Sequence, residues 1–137
     1  MREIIEPATA SLAAERASDA DIEALGVAMD GIQNHPRGSP EQIAADVDFH
    51  MTILRGCRNP MVVSVGALIN SALEISFTLG WRTVMAEDAV LQHRAVYEAI
   101  RARDGEAAFF AMRKLLRNSK GNVFDALWAS RNGGEAD

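Results

Sequence analysis

The fold is decided by DVDFH, residues 46–50, which is followed by a break at Asn59-Pro60. Asp46 and His50 are four residues apart, so on a helix they lie on one face with their Cβ atoms about 6 Å apart. That face is otherwise apolar and carries Ile43, Val47, Leu54 and Cys57. A carboxylate and an imidazole on an apolar stripe point into a bundle, where burial is costly unless they are paired, hydrogen-bonded or metal-bound.

Two interpretations satisfy these buried polar groups. In the first, Asp46 and His50 hydrogen-bond each other and their neighbours as an ordinary core pair. In the second, they line a functional site. His93 also lies in the middle of an apolar helical arc, on a later stretch of the chain. On the residues alone, the core pair is the favoured interpretation.

Composition excludes several classes of protein. A chain of 137 residues with 48% apolar and 24% charged residues is typical of one globular domain. The net charge of −5, with no run of Lys or Arg, argues against nucleic-acid binding by this chain alone. The single cysteine, Cys57, excludes an internal disulfide, fits a reducing cytoplasm and is expected to be a buried, inert thiol. We therefore expect a cytoplasmic location.

No membrane segment is expected. Arg2, Glu3 and Glu6 interrupt any apolar stretch at the N-terminus, so the chain carries no recognisable signal peptide. The most apolar run, Pro60–Leu73, is shorter than a membrane span and ends at Glu74. We interpret this run as part of a buried helix.

Helical periodicity and turn signals predict an all-α antiparallel bundle of about six helices around a central ligand or metal pocket. No stretch alternates as a strand does. The first predicted helix covers about Arg2–Ala17, and the second is capped by Ser18 or Asp19 and extends to Ile32. The later predicted helices cover about Pro40–Cys57, Pro60–Trp81 and Ala86–Arg103, and a last helix begins at about Glu106. Residues 1–130 then form one domain, and 131–137 form a flexible tail.

Three local features carry further expectations. Pro7 is awkward inside a helix and implies a kink or a helix start at that point. His35 lies in a loop and is expected to be solvated. The helix over Pro60–Trp81 is apolar on nearly all sides, so it forms either the centre of the core or half of a subunit interface.

Several motifs occur together in one order and spacing. They are REIIEP (residues 2–7), LAAERA (12–17), DVDFH (46–50), NP (59–60), HRAVYEAIRARD (93–104) and AMR (111–113). Through these six motifs, the chain resembles the C-terminal effector-binding (FCD) domain of the FadR subfamily of GntR-type bacterial transcriptional regulators. The resemblance covers nearly the whole chain.

The resemblance implies a metal site. In family members that carry a metal, an aspartate and three histidines hold a divalent cation at the bottom of a pocket for a carboxylate-bearing effector. Asp46, His50 and His93 match the aspartate and two of the histidines, whereas Leu115 stands where the third histidine is expected. The set that remains would suit one divalent transition metal (Zn, Ni, Mn or Fe) with open coordination positions for an anion. The alternative, an effector bound without metal, stays open because of Leu115.

Two further residues are candidates for contacting the effector. Arg2 matches a family arginine that can hold a carboxylate by a bidentate contact, although a frayed chain start is the alternative. Asn118 lies one turn beyond Leu115, and its amide oxygen could reach the metal or the effector. The predicted effector-binding set is therefore Arg2, Asn118, Asp46, His50 and His93.

The resemblance implies a sensing and homodimerisation domain, not an enzyme, with operator DNA bound by an N-terminal winged helix-turn-helix. Because Met1 opens directly on the first effector-domain helix, we expect an excised domain or a relative that lacks the DNA-binding domain.

A metalloenzyme is the second hypothesis, since two histidines and a carboxylate also ligate non-haem iron. No general base, nucleophile or second carboxylate stands at helical spacing beside the three residues. A structural helical interaction domain is the third hypothesis.

Overall fold

The computed structural model describes residues 2–66, 68 and 86–133. The described residues form six helices and no strand, which confirms the all-α prediction. The helices are α1 (Arg2–Arg16), α2 (Asp19–Asn34), α3 (Pro40–Gly56), α4 (60–66 in the described part), α5 (Ala86–Arg101) and α6 (Gly105–Asn132).

Serine side chains cap the starts of α2 and α3, as predicted for α2. Ser18 accepts the backbone N–H of Asp21, whose carboxylate accepts the N–H of Ser18 at 2.9 Å in a capping box. Ser39 accepts the N–H of Gln42, and Pro40 occupies the first turn, where a missing N–H costs nothing. These caps fix where the two helices begin.

Left-handed residues end two helices. Arg58 (φ 58°) follows α3, and Asn59 then accepts the N–H of Met61 at 3.0 Å, so the Asn59-Pro60 break occurs where the sequence predicts it. Arg103 (φ 61°) follows α5, and the carboxylate of Asp104 accepts the N–H of Ala107 at the start of α6. Both turns are short, and the second one returns α6 against α5.

Pro7 lies inside α1, which begins at Arg2, so the alternative of a helix start at Pro7 is wrong. The proline cannot donate a hydrogen bond to the turn before it. Burial of Ala10, Ala13 and Ala14 one to two turns later anchors the helix against the core and offsets that loss.

The core lies between α1, α3, α5 and α6, with α2 packed across α3 and α5. Cys57 is fully buried and donates to the carbonyl of Leu54, and His35 is exposed, both as expected. α6 continues to Asn132, two residues into the predicted tail. Most of the predicted helix over Pro60–Trp81 and the tail residues 134–137 lie outside the described part of the chain.

Within that described part, no helix combines the length and apolarity needed to cross a membrane.

Candidate metal and effector site

Asp46, His50 and His93 meet in the interior of the bundle. Asp46 and His50 come from consecutive turns of α3, and His93 comes from the middle of α5. All three are at least 97% buried, and each offers one ligand atom within 4.8 Å of the others. The sequence therefore correctly predicts that these three side chains converge.

Both imidazole rings direct Nε2 at one oxygen of Asp46. The distance from Asp46 Oδ1 to Nε2 is 2.9 Å for His93 and 3.3 Å for His50. Two ligands that each lie about 2.1 Å from a tetrahedral ion are about 3.4 Å apart. The two distances from Asp46 Oδ1 are therefore close to the ligand spacing around a small divalent cation.

The opposite nitrogen of each ring faces a hydrogen-bond acceptor. His93 Nδ1 lies 2.6 Å from the carbonyl oxygen of Ala89, one turn earlier on α5. His50 Nδ1 lies 2.6 Å from Glu6 Oε1 on α1. A carbonyl oxygen can only accept, so His93 Nδ1 must carry a hydrogen, and a carboxylate makes the same demand of His50.

This arrangement leaves Nε2 of both rings without a hydrogen whenever the rings are neutral. The two Nε2 lone pairs and Asp46 Oδ1, an acceptor, then face one another across about 3 Å, which is repulsive unless positive charge lies between them. Protonation of the rings supplies that charge, and so does a divalent cation. Metal-binding histidines show the same pattern, with Nε2 on the metal and Nδ1–H donated to a carboxylate or a carbonyl.

The charges in the cluster shift its pKa values. Burial alone raises the pKa of Asp46, but His93 and His50 outweigh it and hold that pKa far below its usual range. Burial also opposes ionisation of Glu6, but His50 and Arg2 lower its pKa. Burial lowers the pKa of His50, and the charge of Glu6 with the hydrogen bond to Asp46 reverses this shift and raises it. The cluster therefore holds ionised carboxylates beside positive charge.

Phe49 packs against both imidazole rings and fixes their planes. Its ring centroid lies 5.7 Å from that of His50 and 5.2 Å from that of His93, both edge to face. The two imidazoles are themselves nearly perpendicular, with centroids 5.6 Å apart. Such packing restricts ring rotation, so the two Nε2 atoms stay aimed at the same point.

Glu6 is the site residue that the sequence analysis missed. It is 1% exposed, and its second carboxylate oxygen accepts a hydrogen bond from Arg2 Nε at 2.7 Å. The i, i+4 spacing of Arg2 and Glu6 was a usable signal for the pair, but not for its contact with His50. That contact joins residues 44 positions apart and depends on how α1 crosses α3.

The other predicted residues are placed as follows. Arg2 is 20% exposed and binds Glu6 on the α1 side of the cluster. Leu115 is buried in the core on α6. Asn118 is exposed and lines a surface groove of about 380 Å³ with the outward side of α5, which includes Leu91 and Ala95. The structure therefore does not bring Asn118 to the group formed by Asp46, His50 and His93.

Comparison with known proteins gives one consistent family. The profile of the FCD domain matches residues 1–118. The galactonate operon transcriptional repressor of Escherichia coli (strain K12) is 28% identical over 124 residues, which cover 87% of this chain and 53% of that protein. The structure is similar to that of a GntR protein of Streptococcus agalactiae, with a TM-score of 0.73 and 26% identity over 85% of this chain and 53% of the other. The chain thus spans about half the length of each.

Proposed function

Because this chain belongs to the FCD domain family of GntR-type regulators, we propose that it senses a small carboxylate through a divalent metal held by Asp46, His50 and His93. We further propose that it dimerises, and that it controls operator binding by a winged helix-turn-helix elsewhere in the intact regulator. Its place in the FadR subfamily is part of the same proposal, as is a sensing and not an enzymatic role.

One observation carries the metal proposal. Both ring Nε2 atoms converge on Asp46 Oδ1, while both Nδ1 atoms face acceptors that hold their hydrogens. A plain core pair would be satisfied by one ring donating Nε2–H to the aspartate. When both rings are neutral, they present two lone pairs to one carboxylate, which matches the requirement of a cation better than that of a hydrogen bond.

Charge balance favours an anionic effector. Asp46 and Glu6 carry two negative charges, Arg2 carries one positive charge, and a divalent ion brings the buried group to a net charge near plus one. Three protein ligands also leave coordination positions open on a four- to six-coordinate ion. A carboxylate would fill such a position and neutralise the remaining charge.

Sugar acids are a reasonable effector class to test. The E. coli relative is named for a galactonate operon, and galactonate combines a carboxylate with neighbouring hydroxyl groups. Such a group can chelate a metal through two oxygens. Leu115, in place of a fourth protein ligand, leaves an additional position for that chelate.

Regulation would follow from linkage between the site and the dimer. An effector that bridges α3 and α5 can shift the bundle between two arrangements only by as much as its affinities for them differ. In a homodimer with two-fold symmetry, that shift would change the separation of two DNA-binding heads. Sedimentation of the chain with and without effector tests dimerisation, and a monomer under both conditions would exclude this part of the proposal.

Metal binding can be tested directly. The chain is stripped with a chelator and titrated with ZnCl₂ or MnCl₂ by calorimetry. We expect one ion per chain and, at free metal about 100-fold above Kd, a stabilisation of about 2.7 kcal/mol. His93→Ala should weaken metal binding by more than about 100-fold, because it removes a metal ligand itself. Loss of a residue that only hydrogen-bonds to a ligand has a smaller effect.

His35→Ala is the matched control, since His35 is exposed in the loop between α2 and α3. Effector binding is then tested by thermal shift with galactonate against galactose, its counterpart without a carboxylate. We expect a shift with galactonate in the metal-loaded chain and none with galactose. Absence of metal binding, together with equal shifts for both sugars, would favour the structural-domain interpretation.

A further inference from the structure

Glu6 is a buried carboxylate that is not among the proposed metal ligands. Its two oxygens have separate partners: Oε1 lies 2.6 Å from His50 Nδ1, and Oε2 lies 2.7 Å from Arg2 Nε. We propose that Glu6 is a positioning residue that fixes the tautomer of His50 and so keeps Nε2 available to a metal. This inference rests on the proposed function.

The geometry around His50 determines which nitrogen carries the hydrogen. The ring lies between two carboxylates, with Glu6 at 2.6 Å from Nδ1 and Asp46 at 3.3 Å from Nε2. A neutral ring has one hydrogen to donate, and the shorter, charge-assisted contact is the stronger. Glu6 therefore holds the Nδ1–H form, which leaves the Nε2 lone pair directed at the centre of the site.

Without Glu6, the preference reverses. Asp46 is the second carboxylate that the described residues are shown to place beside the ring, and the hydrogen would move to Nε2 in order to be donated to Asp46 Oδ1. That hydrogen occupies the position of the metal–nitrogen bond. Metal binding would first have to break the new hydrogen bond and return the hydrogen to Nδ1, so affinity would fall.

His93 provides an internal reference for this effect. Its Nδ1–H is donated to the carbonyl of Ala89, a backbone group that no side-chain substitution removes. Both rings thus direct Nε2 toward the site, but different groups hold them. The backbone of α5 holds His93, and a side chain from α1 holds His50. A change at Glu6 should therefore alter His50 and leave His93 unchanged.

Arg2 holds Glu6 in position from the other side. Its Nε donates to Oε2 across one turn of α1, which directs Oε1 at His50. An amide at position 6 would have one acceptor oxygen where the carboxylate has two, so it could not serve Arg2 and His50 together. Glu6→Gln therefore tests the proposal with almost no change in shape.

The experiment compares the wild-type chain with Glu6→Gln, Glu6→Ala and the control Glu15→Gln. Glu15 is an exposed glutamate on the same helix, so its substitution makes the same change in charge. Tautomers are assigned from ¹⁵N shifts of the three histidine side chains in the metal-free protein, at a pH where the rings are neutral. Zinc affinity and thermal stability are measured on the same samples.

We expect His50 to change from the Nδ1–H form toward the Nε2–H form in both Glu6 variants, with His93 and exposed His35 unchanged. Zinc affinity should fall about 10- to 100-fold in Glu6→Ala, as is usual for a partner of a metal-binding histidine, and by less in Glu6→Gln. Glu15→Gln should match the wild type. If Glu6→Ala does not fold, the nearly isosteric Glu6→Gln decides.

Three results would overturn the inference: an unchanged tautomer of His50, an unchanged zinc affinity despite a changed tautomer, or equal changes at His50 and His93. The last would mean that the variant loosens the whole core. Failure of the proposed function looks different, because the wild-type chain itself would then bind no metal. The tautomer of His50 in the metal-free protein would still show whether Glu6 controls the ring.

Discussion

The buried part of α3 from residue 46 to 54 consists of two halves that differ in chemistry. The first half, 46–50, buries the charged pair Asp46 and His50 among apolar neighbours, whereas the second half, one turn further on, buries Ile53 and Leu54. The apolar half is stabilised by close packing alone, whichever helices supply the neighbours. The polar half is stable only because α1 and α5 supply partners with the correct charge and direction. Packing therefore stabilises one half, and specific polar contacts stabilise the other.

The largest expected effect is a loss of folding stability after a substitution in the apolar half of α3. Ile53→Ala removes most of a side chain that is 2% exposed, and we expect a loss of about 2–5 kcal/mol in the free energy of unfolding. Zinc affinity should stay within about threefold of wild type, which corresponds to less than about 0.7 kcal/mol. Urea denaturation and calorimetric titration provide the two measurements.

Leu91→Ala is the control for that variant, because Leu91 is 66% exposed on α5. It should change stability by no more than about 0.5 kcal/mol. If Ile53→Ala instead abolished zinc binding in a chain that remained folded, the two halves of α3 would be coupled and would not act independently.

The second prediction concerns pH. In the metal-free chain the pKa of His50 is raised, so its stabilising contribution is present below about pH 6.5 and is lost as pH rises through the raised value. The pKa values of Glu6 and Asp46 are lowered, so their contributions are present above about pH 4 and are lost as pH falls through the lowered values. Stability should therefore be greatest between about pH 4.5 and 6.5.

Bound metal should offset the loss of stability that the metal-free chain shows as pH rises. Binding requires neutral rings, so affinity rises with pH as protons stop competing for the two Nε2 atoms. Melting temperatures of chelator-treated and zinc-loaded protein should thus diverge from pH 6 to pH 8. One unit of pKa shift corresponds to about 1.4 kcal/mol, which sets the scale of the divergence. Parallel curves over this range would argue that zinc does not bind the rings.

A third, smaller effect tests the position that departs from the family pattern. Leu115→His should raise zinc affinity by about tenfold, or about 1.4 kcal/mol, by adding a fourth ligand. Leu116→His is the matched control, because Leu116 is equally buried but lies about 100° further round α6. Both variants should destabilise the metal-free chain. Equal zinc affinities would mean that Leu115 does not face the site.

The smallest effect lies outside both halves of α3. Ser18→Ala removes the acceptor for the N–H of Asp21 in the capping box of α2, and should cost about 1 kcal/mol without altering zinc affinity. Ser64→Ala, which removes an exposed hydroxyl bonded to the carbonyl of Pro60, is the control and should be nearly neutral. A loss of zinc affinity in Ser18→Ala would show that the site senses the position of α2.

Local features of the fold were predictable because they depend on neighbouring residues. The Ser18 cap, Pro40 in the first turn of α3 and the Asn59-Pro60 break each act within a few positions, so their signals are contained in short stretches. The convergence of Asp46, His50 and His93 was also predictable, since a polar side chain on an apolar stripe must point inward.

Asn118 shows the limit of reasoning from spacing alone. Three residues advance a helix by 300°, so Asn118 lies about 60° away from Leu115 around the axis. That rotation is enough to move a side chain from the buried stripe to its edge. In the structure Asn118 instead shares a stripe with Ala111 and Lys114, seven and four residues earlier, and faces the outer groove.

By itself, the sequence determined that this chain forms helices, where most of them begin, and that three polar side chains point into the bundle, because periodicity and caps act over short distances. Only the tertiary structure decided that the two rings direct Nε2 at one oxygen of Asp46 and that Glu6 holds one of them in place. Two of these three contacts join residues more than forty positions apart, and their directions depend on how α1, α3 and α5 cross, which no local pattern specifies.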